Sequence, residues 1–118
     1  MSVVPTDLAR TLIRRATARR DADEHERDRC RREFARVIPI CRRDLGVERV
    51  WLIGSLAWGG FGLRSDIDVV VENAGPEVMN AVAERIGEAT GRAVDVLALE
   101  ALPPSFRKRV LADGVHVA

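Results

Sequence analysis

The sequence predicts an α/β (α+β) protein, a short sheet flanked by helices and preceded by an N-terminal helical segment, on three observations. Three short runs rich in β-formers, residues 49–54, 67–71 and 93–99, alternate with longer stretches whose apolar residues recur every three or four positions. Val50-Trp51-Leu52-Ile53 and Val69-Val70-Val71 are apolar on both parities, so these strands need cover on both faces, which helices supply. The length of 118 residues is that of one domain with a modest core and excludes a two-domain enzyme.

Taken in order, residues 6–45 read as helical in two pieces. The first carries Leu8, Leu12 and Ile13 behind a Thr6 cap and is weakly amphipathic. Residues 16–29 are almost all charged or small; then Cys30, Phe34, Val37, Ile38, Cys41 and Leu45 form a stripe that must face a core, with the arginines on the solvated side. Pro39 removes a backbone donor, which predicts a kink or break, and Gly46 ends the helix. After the first strand and a glycine-rich stretch comes the second. Residues 76–90 then form a helix facing inward with Val78, Met79, Val82, Ala83 and Ile86, closed by Gly91. The third strand follows, then a helix over 104–112 that opens at a proline and stops at Asp113-Gly114, and a last strand over 115–117.

Charge and cysteine content narrow the function classes. Residues 1–49 hold 13 arginines against 9 acids and the rest 6 bases against 9 acids, so +4 and −3 leave a net +1. Without a concentrated basic excess, no direct nucleic-acid binding is expected. No apolar run approaches the roughly 18 residues of a membrane span, and no basic segment followed by an apolar stretch marks a secretory signal, so no membrane association and a cytoplasmic location are expected. Cys30 and Cys41 lie about 16 Å apart along a helix, too far to pair within it, and neither has a zinc-site neighbour. They read as buried thiols.

The chemistry is carried by residues 54–71, where a glycine turn is coupled to two carboxylates. Gly54 and Ser55 close a strand and open a short helix, whose free amides, bare glycine and serine hydroxyl let a phosphate approach. Asp66 and Asp68 occupy alternate strand positions and project from one face, about 7 Å apart at Cα, a spacing that suits a shared cation. Asp95 sits in an apolar run, Val94-Asp95-Val96-Leu97-Ala98-Leu99, where an ionised carboxylate is costly unless paired or metal-bound. If its strand lies beside that of Asp66 and Asp68, the three acids form an oxygen cluster for Mg²⁺ held together with substrate phosphates. Such ions would activate an attacking oxygen and neutralise the α-phosphate and departing pyrophosphate, with Asp95 also available as general base.

Gly54-Ser55, ten intervening residues, Asp66-Ile67-Asp68 and a later acid in an apolar strand resemble the signature of the minimal nucleotidyltransferases of the DNA polymerase β-like superfamily. The resemblance runs from about Val47 to the C-terminus. It implies a nucleotidyltransferase fold with a short mixed sheet over residues 31–118, residues 1–30 being a charged helical extension. It also implies that Gly54 and Ser55 hold a triphosphate, with Ser65 as a further nucleotide contact, and that Asp66, Asp68 and Asp95 are the catalytic residues and bind Mg²⁺, with ATP as substrate. Many such proteins resemble antitoxins that silence a helical HEPN-type ribonuclease toxin by transferring AMP to it. Members often carry a basic residue shortly after Gly-Ser, where this chain has Trp58; Arg64 is the candidate substitute.

The expected function is therefore AMP transfer from ATP to a protein partner, because so short a chain leaves little mass for an acceptor-binding domain. The chain contains no Tyr, which excludes modification of its own tyrosine. The alternative is an inactive module of the same fold that neutralises its partner by binding alone; transfer to a small molecule ranks below both. Trp51 and Trp58 read as core or lid residues, Glu72 as a surface acid, and His25 and His116 as surface or packing residues.

Overall fold

The computed structural model describes residues 6–116. Helix α1, Thr6–Leu45, is a single helix of 40 residues, not the two pieces expected from Pro39. The lost donor strands one carbonyl, that of Ala35, and both Ala35 and Pro39 are exposed, so water can satisfy it. On the opposite side Phe34, Val37, Ile38 and Cys41 are buried and hold the axis through the proline. The helix runs without a break through residue 30, where its buried stripe begins, and Thr6, read as a cap, is already helical. Gly46 ends the helix at φ +72°, its amide donating to the carbonyl of Arg42 over 3.2 Å.

The remaining elements are β1 (Val50–Ile53), the short helix α2 (Gly54–Trp58), β2 (Ile67–Val71), α3 (Pro76–Thr90) and β3 (Val94–Ala98). A 3₁₀ turn (Leu99–Ala101), α4 (Pro104–Asp113) and β4 (Val115–His116) complete the chain; Val117, expected in the last strand, lies outside the described residues. The strands form one mixed sheet in the order β3-β2-β1-β4. β1 runs antiparallel to β2 and β4, while β2 and β3 are parallel and joined through α3.

Apolar residues of both parities find cover on opposite faces. Val50, Leu52, Ile67, Val69 and Val71 pack beneath α1 and α3 with Phe34, Ile38, Cys41, Val82 and Ile86. On the other face Trp51, Ile53 and Val70 meet Leu99, Leu102 and Val110, with Trp58 and Phe106 at the margin. That second layer stops short of β3, whose Asp95 and Leu97 remain exposed. The expectation of cover on both faces of β1 and β2 therefore holds. Cys30 and Cys41 are free and buried, and burial pushes both thiols above their ordinary range. Among the described residues no helix is long and apolar enough to cross a membrane.

Candidate active site

Strand register assembles the acids. β2 and β3 pair with Asp68 opposite Asp95, and β1 and β2 with Ile53 opposite Asp68. Asp68 therefore stands between the end of β1, where Gly54-Ser55 begins, and Asp95 on the neighbouring strand. Its parity is that of Val70 and Leu97, so both carboxylates project from the sheet face that α4 leaves open. Asp66 lies two residues upstream, just before β2, and is exposed.

Asp68 senses the other two acids. Burial, then the charges of Asp95 and Asp66, push the Asp68 carboxyl above its ordinary value. No cation relieves it: among the described residues none of the ion pairs or side-chain hydrogen bonds involves Asp66, Asp68 or Asp95. Asp95 is not buried among its apolar neighbours as their sequence suggests. The residue is exposed because β3 is the sheet edge with one uncovered face, and what sets it in the site is its register with Asp68.

Gly54 is required twice. Its φ of +70° lies in the left-handed region, and a Cβ there would collide with Oδ2 of Asp68 while standing 3.3 Å from Asp68 Cβ and Cγ. The bare backbone thus lets the start of α2 lie directly against the half-buried carboxylate. Ser55 follows on the first turn of α2, half-buried, where backbone amides have no partner within the helix. Ser65 has a visible task of another kind. Its Oγ accepts from the Gly62 amide over 2.9 Å and its own amide donates to the Gly62 carbonyl over 3.1 Å, closing the turn that delivers Asp66.

Three arginines that the sequence did not single out brace this region. Arg92, just before β3, donates to the carbonyls of Gly62 and Leu63, and its guanidinium lies 4.8 Å from the Phe61 ring centre. It ties the loop ahead of Asp66 to the strand that bears Asp95, with its Nε buried and unpaired. The only signal in the sequence is one cationic residue in the turn before an apolar strand. Arg31 of α1 donates to the carbonyls of Leu56 at 3.0 Å and Ala57 at 3.3 Å, and Arg29 to that of Thr90 at 2.6 Å, so these two are not solvated-face residues as expected. Trp58 is fixed rather than free to act as a lid: its indole N–H donates to the Asp113 carbonyl over 2.8 Å and Arg109 lies 4.2 Å over its ring. Arg64 is exposed in the turn before Asp66. Trp51 is buried and stacked on His116, and Glu72 pairs with Arg49, in line with the structural roles expected of them.

Arg92→Lys keeps the charge and loses the planar fork that reaches two carbonyls. We expect it to loosen the loop ahead of Asp66, at a stability cost of about 1–2 kcal/mol. A melting curve of the variant against the wild type checks this.

Among the described residues, no three His, Cys, Asp or Glu side chains form a ready-made metal cage. Mg²⁺ does not ask for one, since it is usually held by one or two carboxylates together with waters and substrate phosphates. An oxygen-only donor set, a like-charge cluster without a cation, and a glycine that keeps the approach open all fit that ion.

Comparison with known proteins agrees with this fold. A family model described as polymerase beta, nucleotidyltransferase matches residues 35–118. A relative from Methanocaldococcus jannaschii, named as a protein adenylyltransferase, is 33% identical over 85 residues, covering 70% of this chain and 90% of its own. The solved structure of a minimal nucleotidyltransferase superposes with a TM-score of 0.63 at 26% identity, covering 72% of this chain and 89% of that one. A chain from the complex of a tri-AMPylated Shewanella oneidensis HEPN toxin with an MNT antitoxin superposes with a TM-score of 0.53 at 19% identity, covering 72% and 69%.

Proposed function

Since the chain belongs to the polymerase beta nucleotidyltransferase family, we propose that it is a Mg²⁺-dependent protein adenylyltransferase that moves AMP from ATP onto a separate helical toxin of the HEPN type and so acts as its antitoxin. The observation that carries the reading is the register of Asp68 with Asp95 beside the Gly54 cradle, a cluster of acids left without any cation among the described residues. The naming of the archaeal relative supports the reaction class, and the Shewanella complex supports the kind of partner.

Asp66, Asp68 and Asp95 would hold the ion. Bound Mg²⁺ supplies charge neutralisation on the phosphates and acidifies the attacking hydroxyl. Gly54 keeps the triphosphate free of a side chain, and the Ser55 hydroxyl and the first amides of α2 donate to its oxygens. Asp95, the most open of the acids on the paired strands, accepts the proton of the incoming hydroxyl as that oxygen bonds to the α-phosphorus and pyrophosphate leaves. Ser65 and Arg92 hold the intervening loop, which keeps Asp66 in place. This activity belongs in the cytoplasm, where ATP and Mg²⁺ are at hand.

Trp58, fixed beneath Arg109 where the family resemblance implies a base, favours a second reading in which the fold neutralises its partner by binding alone. Growth of cells expressing the cognate toxin separates the two. Wild-type chain should relieve the arrest and Asp68→Asn should not; relief by the variant, with the complex intact, would establish the binding-only antitoxin.

A further inference from the structure

Helix α1 is far longer than the domain it covers. Forty residues at about 1.5 Å each extend about 60 Å, and the molecule measures 62 Å along its long axis but 31 and 19 Å across. Its buried residues begin only at Cys30, so the outer half projects beyond the core. Three of the six large hydrophobic residues exposed among the described residues lie on this overhang: Leu8 at 50%, Leu12 at 52% and Ile13 at 66%. At about 100° per residue, Leu8, Leu12 and Ala16 fall on the face that Cys30, Phe34, Val37 and Cys41 turn toward the sheet, with Ile13 at its border. Arg19, Asp23 and Glu26 interrupt that face, so the leucines form a separate exposed apolar patch at the far end of the helix. What the core leaves unmatched is the apolar surface of Leu8, Leu12 and Ile13.

Charge states what counterpart that surface takes. Arg10, Arg14, Arg15, Arg19 and Arg20 accompany a single acid, Asp7, over residues 6–20, and none of the five makes an ion pair or side-chain hydrogen bond among the described residues. Nearer the domain, Arg27, Arg29, Arg31, Arg36 and Arg43 reach an acceptor, while Arg32 and Arg42 have none among the described residues. A second copy fits poorly: antiparallel pairing over residues 6–20 sets arginines against arginines, and deeper overlap meets the contact of Asp23 with the Gly62 loop, where a Cβ would stand 3.3 Å from Asp23 Oδ1. Nucleic acid fits poorly too, because exposed Leu8, Leu12 and Ile13 need an apolar counterpart that a phosphate backbone does not offer.

We infer that the outer half of α1 is a docking arm for an acidic, apolar-faced helix of the acceptor protein. Deepening the protein-acceptor reading above, the arm supplies the recognition surface that the short catalytic domain lacks. The arm leads toward the site, for Arg19, Arg20 and Arg27 share a cleft with Gly60 and Phe61, at the start of the loop that ends in Asp66.

The test is binding of a fluorescent synthetic helix with leucines along one face and glutamates at its flanks to the full chain. Controls are a scrambled peptide of the same composition, a lysine-for-glutamate version and a single-stranded RNA. We expect micromolar affinity that falls with salt, and a loss of at least about tenfold for both control peptides and for Leu8→Gln/Leu12→Gln/Ile13→Gln, in which glutamine preserves helix propensity. Arg15→Glu/Arg19→Glu should lose as much. ATP affinity should be unchanged in both variants. Equal binding of the scrambled peptide, wild-type affinity in the triple variant, tighter binding of the RNA, or a dimer that the triple variant dissolves would each overturn the inference. Because ATP binding and transfer are measured separately, failure of the adenylyltransferase reading would appear without any change in peptide binding.

Discussion

Asp68→Asn should abolish AMP transfer, by on the order of a thousandfold or more, and at the same time raise the melting temperature of the metal-free protein at neutral pH. Both effects come from one feature. The carboxylate is half-buried, beside Asp95 and downstream of Asp66, and burial and those charges hold its pKa above its ordinary value. A raised pKa means that the folded state binds more protons than the unfolded one between the two values, so stability falls as pH rises through that window. At neutral pH the ionised group therefore opposes folding, and the neutral amide removes the repulsion; a gain of a few degrees is the expected order of magnitude. The gap between variant and wild type should narrow as pH falls toward the ordinary carboxylate range. Mg²⁺ reverses the ranking, stabilising the wild type and leaving the variant nearly unmoved. Melting curves with and without Mg²⁺ across pH check each arm. A variant that is less stable than the wild type without metal would show that Asp68 serves the fold rather than the ion.

Gly54→Ala should be the most damaging change of a single methyl group. It forces a left-handed backbone on a residue with a Cβ, which costs on the order of 1–2 kcal/mol, and drives that Cβ into the Asp68 carboxylate. Either the start of α2 or the carboxylate must shift, and a displacement of about 1 Å at a reacting centre costs on the order of a hundredfold in rate. Turnover should therefore drop by at least that factor, with a melting temperature lowered by several degrees. Gly46, also at positive φ but with open space around its Cβ position, is the control: Gly46→Ala should cost stability and leave the rate per folded molecule unchanged.

Much of this was legible in the chain because period and spacing carry it. Val69-Val70-Val71 is apolar on both parities since Val69 and Val71 face α1 and α3 while Val70 faces Leu99 and Val110, and the strand over 67–71 was placed residue for residue. The interval from Gly54-Ser55 to Asp66 reflects a real turn, for α2 and the loop held by Ser65 bring the chain back so that Asp68 lies against Gly54. What the sequence hid depends on tertiary context. Pro39 breaks a helix only where its stranded carbonyl would be buried, and here that side faces water. Asp95 looked buried because its neighbours are apolar, yet a sequence does not say which strand becomes the sheet edge. Arg92 was invisible because its partners are backbone carbonyls some 30 positions away, which no side-chain pattern records.

The most direct test of the central claim is the transfer itself. The purified chain, with the protein that co-purifies with it, Mg²⁺ and α-labelled ATP, should place label on the partner as an AMP adduct located by mass spectrometry, and the label should vanish with Asp68→Asn. A stable complex that acquires no label with any of the nucleoside triphosphates, or label that persists in the variant, would contradict the account.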